Sequence, residues 1–282
     1  MTIVDLSPGT VLGERYRVVA PYRQGGLSAA LEVRETSSEE RYELQLFPAG
    51  LFDRVDQVRE FADDLAPWMD VTSPWVVRVH EILTLDASNV ALVTAFPGGE
   101  SLRRRLNEVH AMPEEEVLLL GRRLLEGVEA IHAVALVHGD LKPYTIHVSD
   151  GDGPRPTIVD GGVTPGLWSV KGMGEKTALI GTPYYAPVEQ FGGDAPDVRS
   201  DIYNVATVLY ECLTGVLPWP GKSFLEVFQA KLQKKPPSMA ERAPEVSVDP
   251  RLEAVVGRGC NADRHERYAS AAEFREALEA LA

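Results

Sequence analysis

The stretch Val137–Asp150, "VHGDLKPYTIHVSD", carries three reactive side chains close together. His138, Asp140 and Lys142 interrupt a run that is otherwise largely apolar. Such a pattern is typical of a loop that performs chemistry on a folded scaffold. A loop of this kind needs groups from other segments, so the remainder of the chain decides what it does.

The chain changes its hydrophobic pattern near residue 98. Before that point a helical stretch, Val55 to Met69, interrupts short runs rich in Val, Leu, Tyr and Phe, which predict strands. These runs are "RYRVVAPY", "AALEVRET", "RYELQLF", "VVRVHEI" and "NVALVTAF". After it the pattern is helical, with Pro113 at one helix start and Gly215 at the end of a buried helix. The sequence therefore predicts an α+β chain with lobes at 1–97 and 98–282.

Composition and charge exclude several classes of protein. The 282 residues carry a formal net charge of −14, which disfavours nucleic acid and anionic membrane surfaces as partners. Cys212 and Cys260 are far apart, so they suggest neither a zinc site nor a disulfide framework. No apolar run reaches about 18 residues, so no membrane span is expected. We expect a cytoplasmic location, with no nucleic acid bound and no direct membrane contact.

Seven motifs in order make the chain resemble a bacterial Ser/Thr protein kinase domain of the eukaryotic-like type. They are "GERYRVV", "QGGLSAALEV", "HGDLKPYTI", "IVDGGV", "GTPYYAPVEQ", "RSDIYNVATVLYECLTGVLPW" and "ADRHERYASAAEF". The resemblance implies a bilobal protein-kinase-like fold of the α+β class. A small antiparallel β-sheet lobe with one main helix would precede a larger, mostly helical lobe.

The resemblance assigns roles to the residues that match the family pattern. Asp140 matches the residue that orients the substrate hydroxyl, Lys142 the lysine at the γ-phosphate, and Asp160 the metal-binding aspartate. His138 matches a structural position. Three further residues are expected to hold the fold: an ion pair of Glu189 with Arg267, and Asp201 as a brace for the catalytic loop.

Other positions depart from the pattern in the lobe that should hold the phosphates. Gln45 stands where the family has its phosphate-binding lysine, and a neutral amide cannot neutralise phosphate charge. The first lysine of the chain is Lys142, which leaves Arg23 as the only nearby cationic substitute. Asp64 stands where the helix glutamate belongs; it is one methylene shorter and is expected to be a solvated residue.

The adenine contacts also depart from the family. Glu43 replaces the alanine that lies over the base, unless the alignment slips by one residue. After the gatekeeper Thr94, the residue expected to offer a backbone N–H is Pro97, which has none. Arg23 and Ser28 replace two loop glycines, and only Gly25 remains. Further changes are Gly139 for an arginine, Thr145 for the metal-binding asparagine, and Gly161 for a phenylalanine.

These departures favour a degenerate, catalytically inactive pseudokinase that acts as a regulatory or scaffolding module for a protein partner. In that interpretation Asp140, Lys142 and Asp160 are vestiges, and neither a metal nor another cofactor is bound. Two alternatives stay open. One is a divergent Ser/Thr kinase with weak phosphoryl transfer from ATP with Mg²⁺ or Mn²⁺. The other is an ATP-binding sensor without turnover.

The activation segment contains two threonines, Thr177 and Thr182. By resemblance to the family, another kinase could phosphorylate either of them and so create a docking site for a protein partner. Exposed hydroxyls are common in loops, so ordinary solvent-facing residues are the simpler interpretation.

Overall fold

The computed structural model describes residues 6–24, 28–85, 88–171, 184–233 and 235–281. Within these ranges the N-terminal part forms one six-stranded antiparallel sheet with the strand order β1-β2-β3-β4-β6-β5. Its strands are β1 (Val11–Leu12), β2 (Tyr16–Gln24), β3 (Ala29–Glu35), β4 (Arg41–Phe47), β5 (Val79–Leu85) and β6 (Asn89–Ala95).

Strand β4 shows how the sheet separates its two faces. Successive side chains of a strand point to opposite faces. Leu44 and Leu46 enter an apolar cluster with Val33 and Val93 on one face. Glu43 and Gln45 consequently lie on the other face, which turns toward the second lobe. All of β4 after Arg41 is buried, so these polar residues are held inside the protein.

Helix α1 (Val55–Leu65) packs against the sheet through buried Phe61 and Leu65. The sequence predicted one helix as far as Met69. The α-helix ends earlier because Pro67 lacks the N–H that the next hydrogen bond of the helix would need. A 3₁₀ helix, Ala66–Asp70, follows instead and buries Trp68.

The C-terminal part is mostly helical. Its helices are α2 (Leu102–Val109), α3 (Glu114–Ala133), α4 (Val163–Lys171), α5 (Val188–Phe191), α6 (Val198–Thr214), α7 (Phe224–Lys231), α8 (Met239–Arg242), α9 (Pro250–Gly259) and α10 (Ala271–Glu279). A small sheet, β7 (Glu100–Ser101), β8 (Ile146–Ser149) and β9 (Arg155–Ile158), completes it. No helix in the described ranges is long and apolar enough to cross a membrane.

Helix α6 is the central element of this lobe. Every residue from Ser200 to Thr214 is buried. Asp197 caps its N-terminus, and Gly215 ends it in the left-handed conformation, at φ 72°. Because α6 lies inside the lobe, a polar side chain on it can fix the loops that pass over it.

Backbone hydrogen bonds join the two lobes beneath the cleft. The amide of Val77 donates to the carbonyl of Ile158 at 2.9 Å, and the amide of Ile158 donates to Trp75 at 2.8 Å. Strand β9 ends at Ile158, so Asp160 follows directly after this junction. The connection places Asp160 at the base of the cleft, opposite the polar face of β4.

Candidate active site

The loop with the sequence "HGDLK" is fixed from below by Asp201 on α6. The Asp201 carboxylate accepts hydrogen bonds from the amides of His138 and Gly139, at 2.9 and 2.8 Å. It lies 2.9 Å from Nε2 of His132 as well. His138 is itself buried and donates from Nε2 to the carbonyl of Val159 at 2.8 Å. These contacts make His138 part of the scaffold of the loop.

Thr145 stabilises the same loop through its hydroxyl group. Its Oγ lies 3.1 Å from the carbonyl oxygens of Asp140 and Lys142, to which it donates, and accepts from the Lys142 amide at 3.1 Å. A hydroxyl has one proton to share between two carbonyls. With Thr145 only 3% exposed, its oxygen is committed to backbone groups. The Lys142 ammonium pairs with the Asp140 carboxylate nearby.

Trp68 packs directly on the "DGG" turn from the other lobe. A Cβ atom added at Gly161 or at Gly162 would lie 2.1 Å from an atom of the Trp68 ring system. Only glycine lets the indole approach this closely. The Trp68 ring therefore lies at Gly161, where the family pattern has a phenylalanine. Trp68 packs against the backbone next to Asp160, which has a left-handed φ of 63°.

Arg23 on β2 bridges the two lobes. Its Nε donates to the two carboxylate oxygens of Glu43 at 3.0 and 3.1 Å. Its Nη1 donates to Asp160 Oδ2 at 2.6 Å, and Nη2 contacts both carboxylates. The Glu43 side chain is only 3% exposed. One guanidinium thus holds a buried carboxylate of the sheet and the carboxylate of the turn after β9.

The electrostatics of this triad keep the cation and one anion charged. Burial lowers the pKa of Arg23, but hydrogen bonds and charges of Asp160 and Glu43 outweigh burial and raise it. Burial acts to raise the pKa of Asp160, and Arg23 more than compensates, so that this pKa lies below its usual value. Burial raises the pKa of Glu43, and Arg23 offsets only part of the rise.

The strand register explains why Arg23 reaches this point. Arg23 pairs with Ala30 on β3, and Ala30 pairs with Gln45 on β4. The small Ala30 leaves room for a long side chain to cross toward Glu43. Gln45 serves the loop instead, because its Nε2 donates to Ser28 Oγ at 2.9 Å. Arg23 and Ser28, which replace two glycines of the loop, thus both form hydrogen bonds.

The opposite end of the cleft is lined by aromatic side chains and Pro97. Pro97 is buried in the connection after β6. The Tyr22 and Phe96 ring centroids are 4.4 Å apart. The Tyr22 hydroxyl lies 3.5 Å from Nδ1 of His147 on β8. Thr94, the expected gatekeeper, is buried beside Glu43 in the wall of a small cavity.

The remaining predicted residues lie away from the triad or outside the described ranges. Asp64 is exposed on α1. In the C-terminal lobe, Arg267 donates to both oxygens of Glu189, at 2.7 and 2.9 Å. Gly25, Thr177 and Thr182 lie outside the residues that the structure describes.

Two features were missed by sequence reasoning. Trp68 was not considered, although an aromatic residue directly after Pro67 is a signal that the helix has ended and the ring points elsewhere. Glu43 was considered only as the replacement for the alanine over the base, and its pairing with Arg23 was not foreseen. A carboxylate in the middle of an apolar strand is a signal of a buried partner, although the arginine comes from β2, two strands away in the sheet.

The sequence is similar to known protein kinases over most of its length. The profile of the family described as "Protein kinase domain" matches residues 24–279. A probable serine/threonine-protein kinase of Clostridium perfringens is 26% identical over 275 residues, covering 97% of this chain and 39% of that protein. The serine/threonine-protein kinase PknB of Mycobacterium leprae is 26% identical over 270 residues, with 95% and 43% covered. The chain thus spans about two fifths of these relatives' length.

A solved structure shows the same fold. The kinase domain of Mycobacterium tuberculosis PknI superposes with a TM-score of 0.76 at 19% identity, covering 99% of this chain and 100% of that one. The predicted bilobal α+β fold, with its antiparallel sheet lobe and helical lobe, is confirmed.

The expectation of an inactive pseudokinase without a cofactor is wrong. The matched family is that of protein kinases, which use ATP with Mg²⁺ or Mn²⁺, and both curated relatives are named as kinases. The error has a physical origin. Each role was assigned by position in a motif, so Gln45 was counted as the loss of a positive charge. In the structure, Arg23 on β2 reaches the cleft and pairs there with Glu43 and Asp160.

Proposed function

Because the chain belongs to the protein kinase domain family, we propose that it is a divergent Ser/Thr protein kinase domain. It transfers the γ-phosphoryl group of ATP to a hydroxyl group of a protein, with Mg²⁺ or Mn²⁺. The proposal concerns this domain, since the relatives extend well beyond the matched part.

The observation that carries the proposal is the contact of Arg23 with Glu43 and Asp160. Phosphoryl transfer depends mainly on positioning and on neutralising phosphate charge. A cation held by a buried carboxylate, next to an ionised aspartate, is the arrangement that this chemistry needs. Arg23 provides it from β2, while the strand position of the usual lysine carries Gln45.

The donor set of the cleft fits the triphosphate and one metal ion. Mg²⁺ is usually bound through one or two carboxylates together with substrate phosphates. Asp160 is such a carboxylate, and its lowered pKa keeps it ionised at neutral pH. Both of its oxygens accept from Arg23, so an oxygen of Asp160 would exchange this partner for the metal ion. Thr145 does not fit as a second ligand, because its hydroxyl is bonded to the loop backbone. Bound ATP supplies the phosphoryl group, and its metal ion neutralises charge.

The residues of the chain divide the remaining tasks. Arg23 would hold phosphate oxygens, with Glu43 fixing the guanidinium. Asp140 would orient the hydroxyl of the acceptor, and Lys142 would contact the γ-phosphate, which places its charge near the transferred group. The backbone bonds to Asp201 hold the loop with both residues in one geometry before substrate binds.

The proposal is tested with γ-labelled ATP, Mg²⁺ or Mn²⁺ and a generic Ser/Thr acceptor protein. We expect label transfer by the wild type and a loss of about 10²–10³-fold in Asp140→Asn, since one preorganised group commonly contributes that much. Asp64→Asn is the matched control, because it makes the same change at an exposed position on α1. It should leave the rate unchanged.

Two outcomes would contradict the proposal. Thermal stabilisation by ATP with metal, but no label transfer under any condition, would identify a nucleotide sensor. Equal transfer by the wild type and Asp140→Asn would show that the activity does not arise at this loop.

A further inference from the structure

The connection between the lobes offers few groups for reading a base. The amide of Ala95 donates to the carbonyl of Arg78 at 2.8 Å, so it is already used. Pro97 is buried and has no N–H to donate. In the kinase pattern the residue at position 97 donates its backbone N–H to the base. A base bound here would therefore keep one hydrogen-bond acceptor on its ring edge unpaired.

One ring from each lobe lies beside the connection, where the resemblance to kinases would place a base. Tyr22 lies in the N-terminal lobe and His147 on β8 in the C-terminal lobe, and their ring centroids are 6.1 Å apart. A flat ring inserted between two groups needs about 7 Å between their atoms, since each contact takes about 3.5 Å. The Tyr22 hydroxyl lies 3.5 Å from His147 Nδ1, half of the 7 Å that an inserted ring would need. A flat ring therefore does not fit between these two side chains as they stand.

His147 is held at this place as a neutral, buried group. It is 4% exposed. Burial and the nearby charge of Arg23 lower its pKa to about 4, so it carries no charge at neutral pH. Tyr22 is fixed on its other side, because its ring lies against Phe96.

The phosphate end of the cleft has the opposite character. Two cations, Arg23 and Lys142, lie there paired with the carboxylates of Glu43, Asp160 and Asp140. Partly buried charged side chains form strong, charge-assisted hydrogen bonds and ion pairs with a triphosphate and its metal ion. The chemistry that can distinguish ligands is therefore concentrated at the phosphates and nearly absent at the base.

From this contrast we infer that the domain recognises its phosphoryl donor through the triphosphate and metal ion, with little selection for the base. The donor class is nucleoside triphosphates in general, purine and pyrimidine alike. The inference rests on the function proposed above, and it concerns the same cleft.

The test compares ATP, GTP, CTP and UTP as donors to one acceptor protein at a fixed Mg²⁺ concentration. We expect kcat/KM values within about tenfold of one another, the range that one net hydrogen bond accounts for. Inorganic tripolyphosphate with Mg²⁺ should compete with ATP at a Ki similar to the KM for ATP. An advantage of more than about tenfold for ATP over the other three would overturn the inference.

A paired variant gives an independent check. Tyr22→Ala removes one of these two rings and Pro97→Ala restores the amide, so the double variant should prefer ATP more strongly than the wild type does. Pro48→Ala, at an exposed proline outside the cleft, is the matched control and should keep the wild-type ratio. An unchanged ratio in a folded double variant would contradict the inference.

The result also separates this inference from the proposed function. Transfer from ATP alone would refute only the lack of base selection. Transfer from none of the four nucleotides would refute the proposed kinase activity itself.

Discussion

In the C-terminal lobe, Arg267 holds Glu189 at a separation of 78 residues, and each stands where the kinase pattern places it. In the N-terminal lobe, Arg23 holds Glu43 and Asp160, and neither Arg23 nor Glu43 is the residue that the pattern has there. The two ion-pair systems have different tasks. The first fixes backbone segments, while the second places a positive charge at a point in the cleft.

The comparison teaches that these tasks constrain a sequence differently. Arg267 also donates to the carbonyls of Asn261, Arg199 and Ala262, so its place is set by several backbone groups at once. A charge in a cleft has no such requirement. Any strand of the sheet whose side chain can reach the point can carry it, and here Arg23 reaches it from β2.

The largest effect is expected from Arg267→Ala. The side chain is fully buried, so the variant leaves the Glu189 carboxylate and three carbonyls without a partner. Removing one partner of a buried ion pair lowers the free energy of unfolding by about 3–5 kcal/mol. Urea denaturation measures the loss. Arg251→Ala, which removes an exposed arginine paired only with Asp249, is the control and should show no measurable change.

The next effect is that of Arg23→Gln on catalysis. If Arg23 supplies the phosphate-binding charge, kcat/KM should fall by about 10²–10³-fold. A lysine introduced by Gln45→Lys in the same background should restore part of the activity, since the charge returns from β4. Steady-state kinetics with ATP measure both variants. A double variant as inactive as the single one would show that position, not charge, is what the site requires.

The smallest effect is a pH dependence due to Lys231 on α7. Lys231 is buried and donates to the carbonyls of Tyr184 and Ala186 at 2.8 and 2.6 Å. Burial lowers its pKa from 10.5 to about 7. Between these values the unfolded chain binds more protons than the folded one, so this residue makes stability rise with pH.

The slope is at most about 1.4 kcal/mol per pH unit within that window. Urea unfolding of the wild type and Lys231→Met from pH 7 to pH 9 measures it, and the difference between the two proteins should grow in favour of the wild type. Parallel curves would mean that Lys231 keeps its proton when it is buried. Glu189 and Arg267 act on the same group and are unchanged in the comparison.

The sequence predicted the fold through the resemblance of seven ordered motifs, and local signals for strands and helices agreed with it. The alternation of apolar residues in β4 and the caps at Pro113 and Gly215 each depend on a few neighbouring residues. The order of the motifs then fixed the arrangement of the lobes. The catalytic loop could also be recognised from nearby residues alone, because His138, Asp140 and Lys142 lie within five consecutive residues.

The site was harder to predict because its contacts cross the sheet and the cleft. Arg23 reaches Glu43 only through the register that sets Ala30 between the strands, and no neighbouring residue reports that register. Trp68 meets Gly161 only because Pro67 ends α1 and redirects the chain. Both contacts join residues that are distant in sequence.

The sequence by itself determined the two lobes, the order of their elements and the residues of the loop from His138 to Lys142. Only the tertiary structure showed that Arg23 meets Glu43 and Asp160 in the cleft, and that the rings of Tyr22, Phe96 and His147 lie together at its other end. The physical reason is the range of the interactions. Secondary structure follows from contacts between near neighbours, whereas a charge in a cleft depends on which side chains reach the same point in space.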